Sequence, residues 1–139
     1  MNAISSALIA GSAAIILLLG MVHLLYTFVG STLLPRDADL QARMQAVSPV
    51  ITRETTMWKA WIGFNASHSY GAILFGAVYG YLALRHAAFL FESSFLLAAG
   101  LLLLVGYAFL GKRYWFSVPF RGILVATVLY VVALVLHYG

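Results

Sequence analysis

Two histidines lie inside stretches of this chain that are otherwise apolar enough for the interior of a membrane. His23 interrupts the mostly apolar run from Ala7 to Leu34, and His68 stands in the second long apolar stretch. Imidazole donates and accepts hydrogen bonds, exchanges protons near neutral pH and binds metals. Because an ionisable group in hydrocarbon is costly, such groups usually face a bundle interior and mark a site. The pair therefore indicates a polar site inside a membrane protein.

The composition supports a membrane location. Of the 139 residues, 63% are hydrophobic and 9% are charged, whereas an ordinary soluble domain carries about 25% charged residues. A small soluble fold leaves much of its area exposed and has no means of hiding so much apolar surface. There is no cysteine, which excludes disulfides, thiolate metal sites and thiol nucleophiles. We expect one membrane domain over residues 1–139.

Four segments reach the length of about 20 mostly apolar residues that a spanning helix needs. They cover about 7–34, 57–84, 88–110 and 118–138, with cytoplasmic links at 35–56 and 111–117. The prediction is an all-α integral membrane protein, a four-helix antiparallel bundle.

The first link contains a short helical pattern. Leu40, Met44 and Val47 fall on one helical face, which predicts a short amphipathic interfacial helix on the inner membrane surface. Two alternatives remain open for this link, a solvated connector or a cap over the inner mouth of the bundle.

The basic residues predict the orientation. Seven of the eight Lys and Arg residues lie in or beside the first and third links, and only Arg85 lies on the other side. Since basic loops stay cytoplasmic, both termini should be non-cytoplasmic in the cell (inner) membrane. The same links carry an interfacial aromatic belt formed by Trp58, Trp61, Tyr114, Trp115 and Phe116. Basic residues placed in this way set topology and meet anionic lipids, and we expect no nucleic-acid partner.

The two histidines should meet at one depth. At 1.5 Å per residue, each lies about 4 Å on the cytoplasmic side of the centre of its span. Residues three or four apart share a helical face, and small residues on such a face let helices approach closely. One stripe holds Gly20, His23, Thr27 and Ser31, and the other holds Asn65, His68, Ala72, Gly76 and Gly80. The predicted site is the seam of His23, Thr27, Asn65 and His68.

Several functions of this seam remain open. Neutral histidines that bond Asn65, Thr27 or a backbone carbonyl would hold the helices together. A pocket would take a small molecule, a lipid headgroup or a quinone. His23 and His68 would also suit the axial positions of a b-type haem, although no cofactor is predicted. Proton relay or ion conduction is the fourth alternative.

A second polar layer falls at the outer end. The second span ends near His86, the third begins near Glu92 and the fourth ends near His137. Two histidines with one carboxylate can hold a metal. The alternative is a wet interface in which Glu92 pairs with Arg85 or His86. No metal is predicted, and these three residues are weak candidates only.

The leading functional hypothesis is a non-enzymatic membrane protein, either a ligand-binding module or an accessory subunit. The alternative is a redox or lipid-modifying enzyme that uses His23 and His68. The expected partners are membrane lipids and a second copy or a partner membrane protein. The face of Gly76 and Gly80 would serve either packing inside the bundle or oligomerisation.

Overall fold

The computed structural model describes residues 3–139, and regular structure among them is entirely helical. The all-α prediction is confirmed. The six helices are α1 Ala3–Phe28, α2 Ala38–Ala46, α3 Met57–Arg85, α4 Ala87–Glu92, α5 Ser94–Tyr114 and α6 Ser117–Tyr138.

Three helices are long and apolar enough to cross a membrane, namely α1, α5 and α6. They indicate a multi-pass membrane protein. The fourth expected span, 57–84, is also one helix, and at 29 residues α3 is the longest of the six. It is not among the three because its first half carries polar side chains such as Lys59, Asn65 and His68.

The first span ends earlier than its apolar run predicts. The helix stops at Phe28 although residues 29–34 remain mostly apolar. Gly30 has a φ of +83°, in the left-handed region that favours glycine. The N–H of Leu34 then donates to the Ser31 carbonyl at 3.1 Å in a turn. The backbone therefore reverses where hydropathy alone predicts a continuing helix.

The third expected span, 88–110, is divided at Ser93 into the short α4 and the long α5. Ser93 is extended, and its hydroxyl accepts from the Leu96 N–H at 3.3 Å. This is an ordinary N-cap, in which a side-chain oxygen satisfies a backbone donor of the first turn. The division leaves carbonyl groups near Ser93 that need partners in an apolar surrounding.

The first link does contain a helix, α2. Asp37 caps it by accepting from the backbone N–H groups of Asp39 at 2.9 Å and Leu40 at 3.3 Å. No residue of α2 is buried, and about half of the Leu40 and Val47 surface is exposed. The location of α2 on the membrane surface stays a prediction.

Contacts divide the chain into two compact units. Unit 1 comprises the residues up to Leu19 together with Ala72–Gly139, and unit 2 comprises Gly20–Gly71. The core of unit 1 is apolar and draws on α1, α3, α4, α5 and α6; its fully buried members include Ile9, Ala13, Leu90, Leu104, Ala126, Tyr130 and Ala133. Small residues on α1, α3 and α6 keep this core closely packed.

Candidate functional site

The structure brings the two predicted histidines together within unit 2. The ring centroids of His23 on α1 and His68 on α3 are 5.5 Å apart, and the ring planes are nearly perpendicular at 84°. Both side chains are half-buried. Two imidazoles at this separation present hydrogen-bonding nitrogen atoms to one small region.

Asn65 fixes the orientation of His23. Its amide nitrogen Nδ2 donates to the Trp61 carbonyl at 2.8 Å, so its Oδ1 is the atom that lies 3.0 Å from His23 Nε2. An amide oxygen can only accept, and therefore His23 Nε2 carries a proton. In the neutral ring this leaves the lone pair on Nδ1. Asn65 is the partner that the helical stripes predict for the histidines.

Thr27 joins this arrangement differently from the prediction. Its hydroxyl donates to the His23 backbone carbonyl at 2.8 Å, one turn back in the same helix. Threonine in an apolar helix commonly satisfies its hydroxyl in this way. Thr27 is buried, with 7% of its surface exposed. Because its hydroxyl bonds the His23 carbonyl, Thr27 is joined to the site through the backbone of α1.

Two further members of the network are missing from the sequence prediction. Trp61 Nε1–H donates to the Leu33 carbonyl at 3.3 Å, and Ser69 Oγ–H donates to the Asn65 carbonyl at 2.9 Å. The sequence pattern places Trp61 in the interfacial belt, yet its position one helical turn before Asn65 is the signal that links it to the site. The bond to Leu33 depends on the chain reversal after α1, which no periodicity reveals.

The haem alternative stays a prediction, and the geometry shows what ligation through Nε2 of His23 would cost. A metal takes the lone pair of an imidazole nitrogen, whereas Nε2 of His23 keeps its proton for Asn65 at 3.0 Å. Haem ligation through this nitrogen would break the hydrogen bond that orients the ring.

The outer candidates for a metal are not assembled. Within residues 3–139, no three His, Cys, Asp or Glu side chains gather in a way that would hold a metal ion. His86 lies 3.1 Å from the Tyr81 hydroxyl, and the His137 ring stacks on Phe91 with centroids 4.1 Å apart. Glu92 is exposed at the end of α4. His86 and His137 therefore each contact an aromatic side chain.

Unit 1 contains a tyrosine group that the sequence prediction missed. Tyr79 donates to the Leu96 carbonyl at 2.6 Å and Tyr130 donates to the Leu97 carbonyl at 3.1 Å. Tyr138 donates to the Phe91 carbonyl. Phe91 lies in the last turn of α4, where a carbonyl has no acceptor role within its own helix and needs another donor. Leu96 and Leu97 lie in the first turn of α5, so Tyr79 and Tyr130 donate to carbonyls that can also accept within that helix. Tyr130 is fully buried, at 0% exposure. A tyrosine within an apolar helix is the signal that the sequence offers, because a buried phenol usually finds a hydrogen-bond partner.

The chain matches no protein-family model, no curated protein and no solved structure. Its residues and their geometry are therefore the basis for the function proposed below.

The hydrogen bond between His23 and Asn65 should contribute measurably to stability. In a double-mutant cycle of His23→Ala and Asn65→Ala, we expect a coupling free energy of about 0.6–2 kcal/mol, the range of interhelical hydrogen bonds in membrane proteins. The measurement is the free energy of unfolding in detergent micelles.

Thr27→Val combined with Asn65→Ala is the matched control. Since the Thr27 hydroxyl bonds its own helix, these two effects should add within about 0.5 kcal/mol. Equal coupling in both cycles would show that the histidine bond contributes nothing specific.

Proposed function

We propose that this chain is a membrane protein of four antiparallel spans in the cell (inner) membrane, with both termini on the non-cytoplasmic side. The three apolar helices support multiple crossings. At 29 residues, α3 extends about 44 Å at 1.5 Å per residue, longer than the hydrocarbon core of about 30 Å. Its polar residues then require neighbouring helices rather than lipid. The concentration of Lys and Arg in the first and third links supports the orientation.

We further propose that unit 2 binds a small ligand at its histidine pair, and that the protein is a binding module or accessory subunit rather than an enzyme. The observation that carries this proposal is the 5.5 Å separation of the His23 and His68 rings. Asn65 uses both ends of its amide within the protein, and Thr27 bonds the backbone. The imidazoles of His23 and His68 are therefore the groups that we expect to bind the ligand.

The chemistry of the pair favours an amphiphilic ligand with a hydroxyl group. Because the Nε2–H of His23 donates to Asn65, a neutral His23 keeps its Nδ1 acceptor for a ligand. This uncharged acceptor suits a hydroxyl group in the polar part of a lipid better than a fully charged molecule. Large apolar side chains near the two histidines in sequence are exposed, including Tyr26 at 43% and Phe64 at 74%. Such surfaces suit the hydrocarbon portion of the same molecule.

Native mass spectrometry of the detergent-purified protein tests this proposal. We expect the wild-type chain to retain a molecule of small mass, and His68→Gln to lower its occupancy at least about tenfold, the effect of about 1.4 kcal/mol of lost binding energy. Glutamine keeps a polar side chain of similar size but removes the imidazole.

His86→Gln is the matched control, because His86 is an exposed histidine that contacts Tyr81 in unit 1. It should retain the molecule as the wild type does. Equal retention by His68→Gln, or no retained molecule in the wild type, would contradict the ligand site. A co-purifying membrane protein that is lost in His68→Gln would instead favour the accessory-subunit form of the proposal.

A further inference from the structure

The turn between α5 and α6 carries a concentrated positive charge. Lys112 and Arg113 lie in the last turn of α5, and Arg121 lies in α6 one turn after its start. All three side chains are exposed. We call these three residues the basic turn.

Packing holds the cations of the basic turn near one another. Gly111 lies against Phe120, where an added Cβ would be 3.4 Å from the Phe120 backbone. Lys112 Nζ lies 5.6 Å from the centre of the Phe120 ring, a cation–π distance. Because Arg121 follows Phe120 directly, the contact places Lys112 and Arg121 at the same end of the two helices.

No carboxylate side chain in this part of the sequence offsets the charge. The sequence contains no Asp or Glu after Glu92. From Ser93 to the end of the sequence, the side-chain charges are therefore all positive.

The surroundings of the basic turn fit a membrane surface. The two helices that it joins are both long and apolar enough to cross a membrane. Tyr114 and Phe116 are 71% and 68% exposed, and an amphipathic aromatic side chain such as that of Tyr114 is typical of the headgroup level. Cations held at that depth meet phosphate groups, and each contributes electrostatically to the binding of anionic lipid.

We infer that the basic turn binds the phosphate of an anionic phospholipid, with Lys112, Arg113 and Arg121 as the binding residues. This inference rests on the proposed crossing of the membrane by α5 and α6, and it is independent of the histidine site. Exposed aromatic side chains beside the cations favour a lipid headgroup over a soluble anion. The predicted consequence is a preference for phosphatidylglycerol over phosphatidylcholine, which has no net charge.

Lipid titrations followed by native mass spectrometry test the inference on the full-length protein in detergent. The wild type should bind phosphatidylglycerol more tightly than phosphatidylcholine. The apparent Kd for phosphatidylglycerol should rise about fivefold for each cation replaced by Gln and about a hundredfold for all three. The affinity for phosphatidylcholine should stay unchanged.

A charge-conserving variant distinguishes loss of binding from loss of fold. Lys112→Arg, Arg113→Lys and Arg121→Lys together should retain the preference, and Arg85→Gln should retain it as well. An equal Kd for the two lipids in the wild type, or an unchanged preference in the triple Gln variant, would overturn the inference. A chain that stays soluble without detergent would instead contradict the membrane proposal itself.

Discussion

Gly76→Ala is expected to lower the free energy of unfolding by about 2–3 kcal/mol, the upper part of the range for overpacking a close contact. A Cβ at this position would lie 2.5 Å from Leu17 Cβ, 2.7 Å from the Ala13 carbonyl oxygen and 2.8 Å from Leu17 Cα. Two of these atoms belong to the backbone of α1, so no side-chain rotation relieves the clash. The helices would have to separate, and the apolar contacts between them would weaken.

Gly80→Ala is the matched control for this prediction, since Gly80 lies one turn later on the same face of α3. Its Cβ would be 3.6 Å from Ala13 Cβ, an ordinary contact. Alanine is the better helix former by about 1 kcal/mol, so stability should be unchanged or slightly raised. Unfolding by SDS titration in mixed micelles measures both variants. Equal effects at the two positions would show that the close contact of α1 with Gly76 does not limit packing.

Gly100→Ala is expected to lower the free energy of unfolding by about 2 kcal/mol. The added Cβ would lie 2.5 Å from the Tyr130 hydroxyl oxygen and 2.6 Å from Tyr79 Cε1. Tyr130 is fully buried, and its rigid ring has no space into which it can turn. Its displacement would also weaken the hydrogen bond to the Leu97 carbonyl, and a buried hydroxyl left without an acceptor adds to the cost.

The control for Gly100 lies on the same helix. Nothing lies within 4 Å of a Cβ built at Gly106, so Gly106→Ala should leave stability unchanged or raise it by up to about 1 kcal/mol. Tyr130→Phe adds a second comparison, because it removes only the hydroxyl and relieves the contact with position 100. The double variant of Gly100→Ala and Tyr130→Phe should therefore recover part of the lost stability. If the double variant recovered no stability, the destabilisation by Gly100→Ala would have a cause other than the contact with the Tyr130 hydroxyl.

The contrast between Gly76 and Gly80 shows what periodicity can and cannot predict. The spacing of four residues correctly places both on one packing face of α3. The sequence leaves open whether that face packs inside the chain or against another copy, and the structure shows Gly76 packing on α1 of the same chain. Only the distance between the two helices distinguishes a position that excludes a methyl group from one that accepts it.

The histidine site was predictable in part because its geometry follows from local rules. Helical rise and residue spacing suffice to bring His23, Asn65 and His68 to one level and one seam. The hydrogen bond from Trp61 to Leu33 was not predictable, because it depends on the backbone reversal at Gly30. Thr27 was predicted on the correct face, but a hydroxyl in a helix has its own carbonyls within reach, and the sequence does not determine which partner it takes.

By itself, the sequence determined the helical class, the apolar segments and the pairing of two imidazoles, because hydropathy, length and a period of 3.6 residues are local properties of a chain. The tertiary structure alone decided the end of α1 at Phe28, the division of the third span at Ser93 and the tyrosine bonds around that break. The tyrosine bonds in particular depend on the separation and rotation of helices that are distant in sequence. Those two quantities arise from the packing of all the side chains together, and no single segment of the chain encodes them.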